Sequence, residues 1–119
     1  MVALTLLAGV AIGAMAIEGL RAQTKPPAYV IAEIEVIDQD GYTREYQPAA
    51  TKALNPKFLS RGNKAISFKG DPPKRIVVFA FDDLDKAQAA FASEAYDKAY
   101  AIGSKYAKFR IFAVEGVAQ

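Results

Sequence analysis

Residues Ala28-Tyr29-Val30-Ile31-Ala32-Glu33-Ile34-Glu35-Val36-Ile37 alternate with period two. Ala28, Val30, Ala32, Ile34 and Val36 fall on one side, and Tyr29, Ile31, Glu33, Glu35 and Ile37 on the other. Successive side chains of a strand point to opposite faces, so the pattern predicts a strand over 28–37. Its first face is small and wholly apolar, which suits a helix packed against it. Its second carries two carboxylates beside a tyrosine and two isoleucines. That is neither a plain solvent face nor a plain core face.

Working outward toward the C-terminus, Asp38 or Asp40 supplies a helix cap. Tyr42, Tyr46, Ala49, Ala50, Ala53 and Leu54 then recur at helical spacing, with Pro48 expected to kink or shorten the helix and Asn55-Pro56 to end it. Lys57–Arg61 and Lys64–Lys69 read as short strands around the turn Arg61-Gly62-Asn63-Lys64, and Gly70-Asp71-Pro72-Pro73 as a second turn. Residues 74–81, Lys-Arg-Ile-Val-Val-Phe-Ala-Phe, are apolar on both faces beyond Arg75, as a central strand would be. Asp82-Asp83-Leu84-Asp85 is a helix start, its acids placed where the helix dipole favours them. Leu84, Ala87 and Phe91 form one buried stripe, and Tyr96, Ala99, Tyr100 and Gly103 a second, with a break near Ser93. Ala107–Val117 closes the chain as a strand, with Phe109, Ile111 and Ala113 on one face.

The order predicts an α+β fold, the ferredoxin-like βαββαβ sandwich, whose antiparallel sheet carries two helices on one face. The other sheet face would hold Ile31, Ile37 and several aromatics, too much apolar surface to leave wet. A second copy laid face to face would cover it, so a homodimer closing an α+β barrel is expected.

Working outward toward the N-terminus, Thr24-Lys25-Pro26-Pro27 cannot continue a helix and marks a linker over 23–27. Met1 to Ile17 contain no charged side chain. Such a run is longer than the apolar stretch of about 7–15 residues in a secretory signal. It is shorter than the roughly 20 residues of a spanning helix. Residues 1–22 are therefore read as a signal peptide, with Ala22 the small residue before cleavage, or as a membrane anchor over 1–20. Export to the periplasm or outside the cell is the expectation, with the membrane involved only through an uncleaved leader. Residues 28–117 form the folded domain.

The chain has 119 residues, 15 basic and 13 acidic side chains, and no His, Cys or Trp. A Ser-His-Asp or Cys-His nucleophile, a thiol redox centre and a His- or Cys-ligated zinc or haem are excluded within it. A formal charge of +2 does not argue for nucleic acid, and no phosphate loop or dinucleotide glycine pattern is present. No cofactor and no metal are expected.

Several stretches resemble domain-of-unknown-function family 1330, a family of small dimeric α+β barrel proteins. They are Ala28 to Ile34 with Asp38, Tyr42 and Tyr46, Phe58-Leu59-Ser60-Arg61-Gly62, Gly70-Asp71 and Arg75-Ile76-Val77-Val78. Ser93-Glu94-Ala95-Tyr96 and the closing Val114-Glu115-Gly116-Val117 complete the set, so the resemblance runs from Ala28 to Val117. Two departures stand out: Arg61-Gly62-Asn63 where the family usually has Arg-Gly-Gly, and Phe91 near a position where it often has Trp. The resemblance implies the fold and the dimer. It implies no reaction.

Candidate site residues follow from charge and chemistry. Arg61, beside Gly62 at a strand end, can hold a carboxylate bidentately or form a salt bridge, for instance to Asp71. Arg75 enters a central strand and needs a partner if buried, either a ligand or Glu33 or Glu35. Glu33 and Glu35 share a strand face and can do acid–base work or simply pair with neighbouring cations. Tyr42, Tyr46 and Tyr96 are placed where the helices meet the sheet, either as core or at the rim of a cleft, which Tyr42, Arg61 and Tyr96 would line. The leading reading is a small-ligand-binding or structural dimer. The alternative is a cofactor-free enzyme, monooxygenase- or isomerase-like, acting on a small organic acid or phenolic compound, with Arg61 holding the substrate and a tyrosine or Glu33 handling the proton.

Overall fold

The computed structural model describes residues 26–62 and 64–118. The expected leader over 1–22 lies outside the described residues, as do linker residues 23–25.

The alternating stretch is strand β1 (Ala28–Val36), with Ala28, Val30, Ala32 and Ile34 buried. Asp38 then caps α1 (Gln39–Gly41), its carboxylate accepting from the Gly41 N–H at 3.1 Å. The chain continues without a break through a π turn (Tyr42–Tyr46) into α2 (Gln47–Leu54). The sequence led us to expect Pro48 to kink or shorten the helix; the helix is not shortened, and Pro48 sits in the first turn of α2. Proline has no N–H to offer the carbonyl four residues back and its ring crowds that carbonyl. The turn before it widens instead, and the Gln47 N–H donates to the Tyr42 carbonyl five residues back. The widening has a use. At 3.6 residues per turn a four-residue step overshoots a full rotation, and the wider turn takes up the overshoot, so Tyr42, Tyr46, Ala50 and Leu54 all stay buried on one stripe. Asn55, in the left-handed conformation at φ 45°, ends the helix before Pro56.

Three further strands complete the sheet: β2 (Lys57–Ser60), β3 (Ile76–Phe81) and β4 (Ala107–Glu115). Between β3 and β4 run α3 (Leu84–Phe91) and α4 (Glu94–Gly103), capped by Asp83 and by Ser93 at the expected break. All strand pairs are antiparallel and the order is β2-β3-β1-β4. This is the ferredoxin-like α+β fold, with the helices on one face of the sheet. Buried side chains from β1, β3 and β4 meet Tyr42, Tyr46, Ala50, Leu54, Ala87, Tyr96 and Ala99 from the helices to form the core.

Residues 64–69 are not the hairpin strand expected after the turn at Arg61-Gly62-Asn63-Lys64. They lie outside the sheet, Ile66 80% and Phe68 92% exposed. β2 pairs instead directly with β3, Phe58 opposite Phe79. The segment has only two large apolar side chains on one side and polar Ser67 and Lys69 on the other, and nothing among the described residues covers it. Ser67 Oγ donates to the Lys69 and Gly70 carbonyls and closes a turn there, with Gly70 at φ +79°.

On the face away from the helices, register places Tyr29, Ile31, Val78, Ala80, Phe112 and Val114 together. This broad apolar surface is uncovered by any other part of the described chain, with Phe112 40% and Val114 48% exposed. Among the described residues no helix is long and apolar enough to cross a membrane.

Candidate functional site

Where the π turn and α2 cross β1 and β3, the small side chain of Ala32 leaves space that no neighbour fills. The result is a cavity of about 60 Å³ walled by Ala32, Ile34, Leu54, Val77 and Phe79, with Tyr42, Tyr46 and Tyr96 along its helix side. Tyr42 and Tyr46 stack at 5.3 Å between ring centres. The Tyr46 and Tyr96 hydroxyls hydrogen-bond each other at 3.0 Å inside the core. Gly103 permits this placement: a Cβ there would run into the Tyr46 ring. Burial, the Tyr96 hydrogen bond and the neighbouring tyrosines push the Tyr46 hydroxyl far up from its ordinary pKa. Burial also raises Tyr96. It raises Tyr42 too, against the opposing pull of Arg75, Gln47 and Arg61. All three hydroxyls therefore keep their protons at neutral pH.

Two guanidiniums border the same cavity. Arg75 immediately precedes β3, and its carbonyl accepts from the Ile34 N–H at 2.9 Å, which pins its backbone to β1. Its side chain is half-buried, with the guanidinium carbon 5.1 Å from the Tyr42 ring centre. Its Nε–H is buried and has no hydrogen-bond partner among the described residues. Arg61, just past β2, is exposed and stacks over Phe58 at 4.1 Å. Among the described residues no acidic side chain lines this cavity.

Arg61, Arg75, Tyr42 and Tyr96 thus come together; Glu33 does not join them. It sits on the other face of the sheet, where its carboxylate accepts from Arg110 at 3.0 Å. Glu35 is likewise engaged, by Lys74 at 3.0 Å, which lowers its pKa through the hydrogen bond and the charge. The partners expected for Arg75 are therefore on the wrong side of the sheet, since period two carries residues 33 and 35 away from the face bearing residues 32 and 34. Asp71 borders that outer surface too, beside Glu33 and Lys74, and makes no ion pair with Arg61. Tyr46, expected with Tyr42 and Tyr96 where the helices meet the sheet, lines the cavity as well. Its four-residue spacing from Tyr42 was the signal. Gln47 and Thr51, which add polar groups to the wall, carried no such signal. A wider groove of about 730 Å³ between α3, α4 and β4 is lined by Leu84, Phe91, Tyr100, Phe109 and Ile111 and has no charged side chain.

Residues 27–117 match a family model described as Domain of unknown function (DUF1330). The chain belongs to this family. Every DUF1330 residue named above as lining the cavity falls inside the matched region. No curated protein matches the chain. Two solved structures are similar to this DUF1330 member. One is RPA0582, a protein of unknown function from Rhodopseudomonas palustris, at 11% identity and a TM-score of 0.56, covering 88% of this chain and 94% of that one. The other is SnoaB, a cofactor-independent oxygenase from Streptomyces nogalater, at 10% identity and a TM-score of 0.55, covering 75% of this chain and 91% of that one. At such identities the likeness is one of fold, which hosts many functions.

Proposed function

We propose that this DUF1330 protein is an exported homodimer that binds a small organic molecule in the cavity between its helices and its sheet. The observation that carries the reading is the cavity itself: apolar walls, few polar groups, and two arginines at its border without acidic partners. Binding sites for small molecules have this make-up. The dimer is supported by the apolar outer face of the sheet, which a second copy would cover across a two-fold axis. The pairs Glu33–Arg110 and Glu35–Lys74 border that face and give it a polar margin. Export is supported by the uncharged run Met1 to Ile17.

The three tyrosine hydroxyls favour a second reading, a cofactor-free enzyme acting on a small acid or phenolic compound, as SnoaB is a cofactor-independent oxygenase on the same fold. In that reading a tyrosine gives the proton, and Glu33 takes no part because it faces away. Native mass spectrometry of protein recovered from a bacterial periplasm after expressing the full chain tests the main reading. A dimer beginning near Gln23 and carrying a small extra mass is expected. A monomer would remove the dimer, and a chain retaining residues 1–22 in the cytoplasm would remove export. Consumption of a bound compound on incubation would favour the enzyme.

A further inference from the structure

We propose that the cavity takes a short monocarboxylate, with Arg75 as the inner anchor and Arg61 as the outer clamp. The inference rests on the ligand-binding reading above and names the chemistry of the ligand.

The first argument is charge. Arg75 and Arg61 both border the cavity, no acidic side chain does, and neither makes an ion pair with a described residue. The carboxylates within reach along β1 are already held by Arg110 and Lys74 on the opposite face. A buried cationic donor without an acceptor is unfavourable, and the Arg75 Nε–H is such a donor. An anionic oxygen in the cavity removes the deficit.

The second argument is geometry. Each guanidinium lies over an aromatic ring, Arg75 over Tyr42 and Arg61 over Phe58. Stacking occupies the faces of the planar groups and leaves their N–H edges free, the edges that pair bidentately with a carboxylate. Arg75 is fixed by the Ile34 N–H to its carbonyl and is half-buried, whereas Arg61 is exposed at the end of β2. Hence one anchors and the other covers. In the Tyr46–Tyr96 pair one hydroxyl donates to the other, so the second keeps a proton to give to a ligand oxygen.

The third argument is the shape of the remainder. Beyond its arginine border the cavity is lined mainly by Ala32, Ile34, Leu54, Val77 and Phe79. Gln47, Thr51 and the tyrosines line the rest of the wall; a phosphate or sulfate, with oxygens on every side, would still turn some of them onto the apolar side chains, whereas a carboxylate presents oxygens on one side and carbon on the other. The 60 Å³ of space is less than half the roughly 150 Å³ that holds benzene in an engineered apolar cavity. With the carboxylate held at the arginine border, a tail of about one to three carbons fits that space, as in an acid of about two to four carbons.

The test is calorimetric titration of the full-length dimer with butyrate, isobutyrate and propionate, set against butyramide, hexanoate and inorganic phosphate. The short acids are expected to bind and to weaken as salt rises, with butyramide and phosphate at least tenfold weaker. Arg75→Gln should weaken butyrate by about ten- to a hundredfold, the range for losing a charge-assisted hydrogen-bonded pair. Arg61→Gln should weaken it by about threefold, mainly through faster release, as for a partner exposed to solvent. Arg75→Lys keeps the charge but not the fork, and should fall between Arg75→Gln and the unaltered chain. Equal binding of butyramide and butyrate would overturn the carboxylate assignment and leave the ligand-binding reading standing. Tighter binding of phosphate than of butyrate would also overturn it. Binding of none of the compounds would overturn both. Because the butyrate–butyramide comparison uses the unaltered chain, it decides the matter even where Arg75→Gln impairs folding.

Discussion

Arg75 shows how one side chain can be defined by what surrounds it. Its sequence neighbours Lys74 and Ile76 suggest only a charged residue at a strand entrance, yet the fold buries its Nε–H next to an aromatic ring and sends the nearby acids to the other face. The tyrosines are a second case. Burial holds Tyr42, Tyr46 and Tyr96 above their ordinary pKa, which is near 10 in an unfolded chain. A folded pKa raised above the unfolded value contributes stability that is fully present below pH ~10 and is lost as pH rises through the folded values. Urea midpoints should therefore hold steady through neutral pH and fall above about pH 10. Ultraviolet titration of the folded protein should show fewer phenolates than its six tyrosines until the alkaline transition. Ionisation of all six with the fold intact would contradict the buried placement.

Among the elements, the first helical segment departs most from expectation. Pro48 made a kink or an early end the natural reading; the chain widened the preceding turn to a π turn and kept its apolar stripe in register. The fourth helix, α4, makes the matching accommodation at Gly103, whose missing side chain admits the Tyr46 ring. Alanine has an intrinsic helix advantage over glycine of up to about 1 kcal/mol, less at the last position of a helix. Forcing a methyl into packed aromatic rings costs about 1–3 kcal/mol. The second effect wins, so Gly103→Ala should destabilise the protein by about 1 kcal/mol or more. It should also lower butyrate affinity by shifting Tyr46. A rise in melting temperature would show that the Tyr46 ring yields freely.

For the whole molecule, the feature that matters is a four-stranded sheet with helices on one face only. The uncovered face is apolar along its middle, from Tyr29 and Ile31 across Val78 and Ala80 to Phe112 and Val114. A protein of this size buries a modest share of its surface by itself, and association adds to it. Val78 lies on a central strand with its side chain outward, so Val78→Glu places a charge in the middle of the proposed interface and none in the core. The unaltered chain should run as a dimer in sedimentation velocity, and Val78→Glu as a monomer with unchanged far-ultraviolet circular dichroism. A dimer that persists in Val78→Glu would place the interface elsewhere, with Ile66 and Phe68 the next surface to probe.

Strand β1, a cap from Asp38 or Asp40, the helix start over 82–85, the break near Ser93 and the stop at Asn55-Pro56 were determined by the sequence alone. Each depends on interactions between residues within a few positions of one another: alternation, a side chain bonding the next turn, a residue tolerant of positive φ. Tertiary structure decided what local rules do not contain. It left residues 64–69 outside the sheet, where no apolar layer of the described residues lies over them, and it turned Glu33 away from the cavity. It also joined Arg61, Arg75, Tyr42 and Tyr96, which come from four separate parts of the chain. A pocket made of side chains far apart in sequence exists only once strand register and helix packing have fixed which of them share a face.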